Sequence, residues 1–178
     1  MTDALIKPNT KKLLSQMDFL EEDTKEHSEQ FMIYYRQFLE EFPEKAPKPK
    51  PESFFEEEVD EETPPEEAKL IKKLYREISK ISHPDKVESA YLESMFKETN
   101  TAYKNKDIAK LFRIAVTLEI NLENIDITYI SGKIKEKIRI FEDKILTYTN
   151  SYAWKWGTAS TPEEEEYVRT LINSFVPI

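Results

Sequence analysis

The chain has no cysteine and only two glycines among its 178 residues. Without cysteine there is no disulfide, no thiolate zinc site and no cysteine nucleophile. With glycine confined to Gly132 and Gly157, glycine-rich phosphate loops and tight hairpins are nearly excluded. No apolar run approaches the ~20 residues that span a bilayer. The opening MTDALIKPNT lacks the long apolar stretch of a secretory signal. Together these absences lead to the expectation of an intracellular, cytoplasmic protein that does not bind membranes.

What the chain has in quantity is charge. Acidic residues outnumber basic ones 35 to 26, for a net charge of −9, which disfavours nonspecific nucleic-acid binding. The excess is uneven: Lys69 to Ser160 carries roughly +5 and the part before it roughly −11. An acidic front therefore precedes a mildly basic region.

Hydrophobic spacing predicts helices throughout, with no convincing strand and no internal repeat. Over residues 1–42, Leu13, Leu14, Met17 and Leu20 form one apolar stripe and Phe31, Tyr34, Tyr35, Phe38 and Leu39 another. The polar EEDTKEHSEQ between them suggests a break near Asp23, which can cap a new helix. Residues 43–67 are proline-rich and acidic, and read as an extended linker. Its EEVD, Glu57 to Asp60, and its adjacent Phe54 and Phe55 carry no further assignment.

Residues 68–178 read as one helical region. After Pro65, with Glu66 and Glu67 suited to a helix start, comes KLIKKLYREISKIS. Ile71, Leu74 and Ile78 line one face, with Ile81 at its end, and Lys69, Lys72, Lys73, Arg76 and Lys80 occupy most of the rest. Pro84 restricts the residues before it and ends that helix. A second helix carries Leu92, Phe96, Thr99 and Tyr103, and Asp107 caps a third with Ile108, Leu111, Phe112, Ala115 and Leu118. A long helix from about Asp126 to Tyr152 shows a coiled-coil-like seam from Ile127 through Ile130, Ile134, Ile138 and Phe141 to Tyr152, with Gly157 as its stop. Trp154 and Trp156 are expected to fill a core. Thr161-Pro162 and four glutamates open a last helix, whose apolar face is Tyr167, Val168, Leu171, Ile172 and Phe175.

LIKKLYREISKISHPDK followed by FKETNTAY resembles the J domain of DnaJ-type co-chaperones. The matching positions are Tyr75-Arg76, His83-Pro84-Asp85-Lys86, Phe96-Lys97-Glu98 and Ala102-Tyr103. The resemblance implies an all-α fold: an antiparallel helical hairpin with the HPD loop at its tip, here extended by a C-terminal helical hairpin. It also implies a co-chaperone that docks on a DnaK-type (heat-shock-70) chaperone and stimulates its ATPase. A client would be chosen by the N-terminal segment or the C-terminal helices. No enzymatic activity, cofactor or metal is expected of the chain itself.

The docking residues would be Lys72, Lys73, Tyr75, Arg76, Lys80, His83, Pro84, Asp85 and Lys86. Lysines and arginine steer towards an acidic patch, Asp85 offers a carboxylate to an arginine, and Pro84 fixes φ. The aspartate-tyrosine-tyrosine and Leu-Gly signature of a first J-domain helix is missing before Lys69, as in shortened J-like modules of some bacterial and large-DNA-virus proteins. Two helices alone bury too little, so the helices after Asp126, or else the N-terminal helix, are expected to cover the hairpin. A scaffold protein with a degenerate J-like fold is the competing expectation.

Overall fold

The computed structural model describes residues 8–45, 63–85, 89–123 and 125–174, and within them the chain is all-helical. In order the elements are α1 (Pro8–Glu41), a 3₁₀ turn (Pro43–Lys45), α2 (Pro65–Ser82), α3 (Ala90–Lys104), α4 (Ile108–Thr117), α5 (Ile127–Asn150), α6 (Tyr152–Thr158) and α7 (Pro162–Ser174). Most of the acidic linker, with Phe54, Phe55 and the EEVD, lies outside the described residues, as do Lys86 and Phe175.

Two compact units divide the chain. One takes residues up to Met17 and Glu58–Lys137; the other takes Asp18–Glu57 and Ile138–Ile178. Each unit thus draws on part of α1 and part of α5.

The expected break near Asp23 does not occur: α1 is one helix from Pro8 to Glu41. Asp23 does not cap. Its carbonyl accepts from His27 Nδ1 at 2.8 Å, and its carboxylate lies 3.1 Å from the same nitrogen. Thr24 turns inward and donates to the Leu20 carbonyl at 2.6 Å. The polar residues are helix formers paired along the same helix.

In the first unit α2, α3 and α4 pack pairwise. Ile71, Leu74 and Ile78 of α2 are buried, together with Ala102 of α3 and Leu111, Phe112, Ile114 and Ala115 of α4. Ile81 is exposed, and Ser82 takes the next buried position instead, its hydroxyl donating to the Ile78 carbonyl. The helix that closes over both α2 and α3 is α4, which neither expectation named. It buries Ile108, Ala109, Leu111, Phe112, Ile114 and Ala115 because it packs on both of them. The first part of α5 adds Ile130 and Ile134, both fully buried.

With so few glycines, helix ends use other residues. Asn105 caps α3 and Lys106 follows at φ 53°; the Lys106 and Asp107 amides donate back to the Tyr103 and Ala102 carbonyls. Glu119 repeats the motif after α4, also at φ 53°. Glycine is the usual occupant of this left-handed position. Lys106→Gly is therefore expected to raise stability by about 0.5–1 kcal/mol, read as a higher denaturant midpoint at unchanged m.

Asp107 caps α4 as expected, accepting from the Lys110 amide at 3.0 Å, and its other oxygen pairs with Lys137. Glu98 pairs with Arg113 and with Lys110, tying α3 to α4. The buried Glu67 accepts from the Tyr129 hydroxyl at 2.6 Å and lies 3.3 Å from Lys133 Nζ. The hydrogen bond to Glu67 raises the Tyr129 pKa above its ordinary value. Burial alone would lower that of Lys133, but the bond to and charge of Glu67 and the charge of Glu136 outweigh it and the net shift is upward. Raised folded values stabilise below the ordinary range of each group and lose that contribution as pH rises through the folded values. Glu67→Ala is expected to cost about 1–3 kcal/mol at neutral pH and to flatten the decline of stability above about pH 10. Urea melts at several pH values check both.

In the second unit Phe38, Phe42, Ala153, Val168 and Ile172 form the core, with Phe31, Tyr35, Tyr152 and Trp156 packed against it. Trp156 meets Phe42 edge-on at 5.0 Å and Trp154 stacks on His27 at 5.2 Å. Both tryptophans are half-buried, Trp156 against this core and Trp154 against His27 and Tyr34, so neither fills the core as expected. The Arg169 guanidinium lies over Phe42 and Trp156 and pairs with Glu41 at 2.6 Å.

Gly157 does not stop the long helix. The break comes at Ser151, whose hydroxyl caps α6, and Gly157 lies inside α6. The last helix starts as expected: Thr161 Oγ1 accepts from the Glu164 amide, and Glu164 accepts from the Ser160 and Thr161 amides. The Ser160 amide and hydroxyl hold the Glu164 pKa below its ordinary value. Tyr167, expected on the apolar face, is exposed; Val168 and Ile172 are buried.

Candidate functional site

Taking Lys69 as zero and 100° per residue, Lys72, Lys73, Arg76 and Lys80 fall within about 60° of it. Ile71, Leu74 and Ile78 centre nearly opposite. Burial follows this arithmetic: those three apolar residues are at most 4 % exposed, and Lys72, Lys73, Arg76 and Lys80 are all exposed. One face is held by the core, so burial of Ile71, Leu74 and Ile78 sets where the cationic stripe lies. Lys80 hydrogen-bonds to Glu77 at 2.6 Å, which leaves Glu77 as the acid within the stripe's neighbourhood.

The stripe ends at the turn His83-Pro84-Asp85. His83 caps α2 with φ −62° and ψ 129°. That is the extended conformation a residue before proline prefers, so Pro84 sets the direction in which the chain leaves the helix. The Asp85 amide donates to His83 Nδ1 at 3.2 Å. A ring nitrogen that accepts this bond carries no proton, so in the neutral ring the proton is assigned to Nε2, which remains a donor. The ring meets Phe96 edge-on at 5.0 Å. The imidazole is thus fixed from two sides, with its side chain 38 % exposed, and the Asp85 side chain is 86 % exposed.

Tyr75 is tied to α3. Its hydroxyl donates to Asn100 Oδ1 at 2.9 Å and its ring lies 4.3 Å from that of Tyr103. With His83 opposite Phe96 and Tyr75 opposite Asn100 and Tyr103, α2 and α3 run antiparallel.

These residues surround a concavity of about 600 Å³ lined by Tyr75, Arg76, Glu77, Ser79, Lys80, His83 and Asp85. Five of the seven were expected from the sequence; Lys72 and Lys73 lie further up the stripe. Glu77 and Ser79 were not anticipated. Their signal was available in the spacing: Ser79 lies four residues after Tyr75 and four before His83, a shared helical face. The Ser79 hydroxyl is buried with no hydrogen-bond partner among the described residues.

The arrangement offers cations, the two carboxylates of Glu77 and Asp85, an imidazole N–H and a shallow pocket. It offers no nucleophile with a base. Among the described residues no three metal-ligating side chains converge, and no helix is long and apolar enough to cross a membrane. Comparison with protein-family models, with curated proteins and with solved structures gives no match to this chain.

Proposed function

We propose that this chain is a J-domain co-chaperone, which docks α2 and the HPD turn on a DnaK-type chaperone and accelerates ATP hydrolysis there. The chemistry belongs to the partner, and this chain contributes a surface of fixed shape. The observation that carries the reading is the conjunction at one end of α2 of a fixed, half-covered His83, an exposed Asp85 and a cationic stripe. Pro84 and the Phe96 contact keep that surface ordered before binding, which lowers the entropy lost on docking. Lys72, Lys73, Arg76 and Lys80 supply steering. Lys86 belongs to the same run by sequence and lies outside the described residues.

A second reading, a scaffold with a degenerate J-like fold, draws on the missing first-helix signature and on α4 as the cover of α2 and α3. The two readings predict different behaviour of the stripe. On the co-chaperone reading, Arg76→Glu weakens docking to the ATP-bound chaperone roughly tenfold and reduces the salt dependence of association. Surface plasmon resonance at several ionic strengths checks this. Unchanged affinity at every salt concentration means the stripe is solvated surface.

A further inference from the structure

A second concavity lies in the same unit, at the end of the α2–α3 pair away from the HPD turn. Its volume is about 620 Å³, within the range of sites that take a few side chains. Ala68, Ile71 and Tyr103 give it an apolar floor, and Lys72, Lys104 and Lys106 stand around it. Those lysines come from α2, from the last residue of α3 and from the turn after it. In a chain with nine more acidic than basic residues, no aspartate or glutamate among the described residues lines this groove.

The floor is not adaptable. Tyr103 is braced by the Tyr75 ring and Ile71 is buried. The Lys106 turn is pinned by three backbone hydrogen bonds, from Asn105, Lys106 and Asp107 to the end of α3. Lys106 itself occupies a left-handed conformation that glycine would adopt at less cost. The groove thus combines a rigid aromatic and aliphatic surface with cations of one sign, which is the complement of an acidic segment that carries a bulky apolar side chain.

We infer that this groove docks an acidic, aromatic-bearing peptide segment of a partner protein, with the aromatic ring on Ala68, Ile71 and Tyr103 and the carboxylates paired to Lys72, Lys104 and Lys106. The inference shares Lys72 with the stripe of the co-chaperone reading and otherwise concerns the opposite end of the two helices, so Lys104→Glu, which lies outside that stripe, tests it separately.

The test uses the full chain and a fluorescein-labelled twelve-residue peptide of glutamates with two adjacent phenylalanines at its centre, read by fluorescence anisotropy. Saturable binding is expected that weakens severalfold as salt rises. Lys104→Glu lowers affinity at least about fivefold, and replacing the peptide's phenylalanines by alanine does the same. Lys106→Gly lowers affinity about twofold while raising stability, which separates the binding role from any loss of fold. Lys80→Glu, at the HPD end, leaves affinity unchanged. Absence of saturable binding overturns the inference, and so does an equal loss with Lys80→Glu, which would indicate diffuse charge attraction. Binding that emerges only when residues 52–62 are replaced by a glycine-serine stretch of equal length also overturns it, since the occupant would then be the chain's own acidic segment.

Discussion

Asp85→Asn is expected to leave the stability of the chain within about 0.5 kcal/mol of the parent and to reduce the stimulation of a DnaK-type ATPase roughly tenfold or more. The asparagine keeps the size of the side chain and removes its charge. The Asp85 side chain is 86 % exposed, and among the described residues its carboxylate lies 3.6 Å from His83 Nδ1. Little of the fold depends on it, so a change in activity must come from docking. A carboxylate that pairs with an arginine across an interface contributes about 1.5–3 kcal/mol, which is a factor of roughly ten or more in affinity.

His83→Gln is expected to have an equal effect through a different route. Glutamine can accept from the Asp85 amide, but it has no ring to place against Phe96. The turn then loses one of its two braces. Parent-like circular dichroism with lost stimulation is the expected pair of observations for both variants. Stimulation that survives both changes contradicts the assigned role of the turn.

The largest expected effect on stability is in the other unit, at Gly157. Its backbone is not left-handed, so conformational freedom is not the reason for glycine there. A methyl group built on Gly157 would overlap the Tyr34 ring and lie 2.6 Å from Tyr34 Cβ. A ring can rotate, but a Cβ moves only with its backbone, so α1 and α6 would have to separate locally. In a helix alanine is otherwise favoured over glycine by about 1 kcal/mol. Overpacking costs about 1–3 kcal/mol and at times more, and here the overlap is with main-chain-fixed atoms. Gly157→Ala is therefore expected to destabilise by about 3 kcal/mol, or to lower Tm by roughly 6–12 °C. In the double variant, Tyr34→Ala relieves the ring overlap and not the Cβ contact, so it restores part of the loss. Additive losses would show that the two residues do not meet.

Helix positions in this chain were legible where the signals are local. Asp107 as a cap, the Thr161-Pro162 start of α7 and the end of α2 before Pro84 all follow from residues within one turn of the feature. The cationic stripe was legible for the same reason, since burial of Ile71, Leu74 and Ile78 fixes where the lysines must lie. What the sequence does not disclose is pairing across distance. Glu67 reads as a residue that suits a helix start, yet its main partners are Tyr129 and Lys133, more than sixty positions away. Tyr75 reads as an interface anchor, and its partners on α3 become visible only once α2 and α3 lie together. Gly157 reads as a helix stop because glycine usually acts through its own backbone, whereas here it acts through Tyr34. Asp23 reads as a cap because its helix-pairing role with His27 uses the same atoms.

A fixed turn beside a cationic helix face is proposed to act on a chaperone. The most direct test of this is single-turnover hydrolysis of ATP preloaded on a DnaK-type chaperone from the same host, with and without the unaltered chain. The expected result is a severalfold or greater increase in the hydrolysis rate that saturates with added protein and is absent for Asp85→Asn. A rate unchanged by saturating amounts of the folded chain contradicts it.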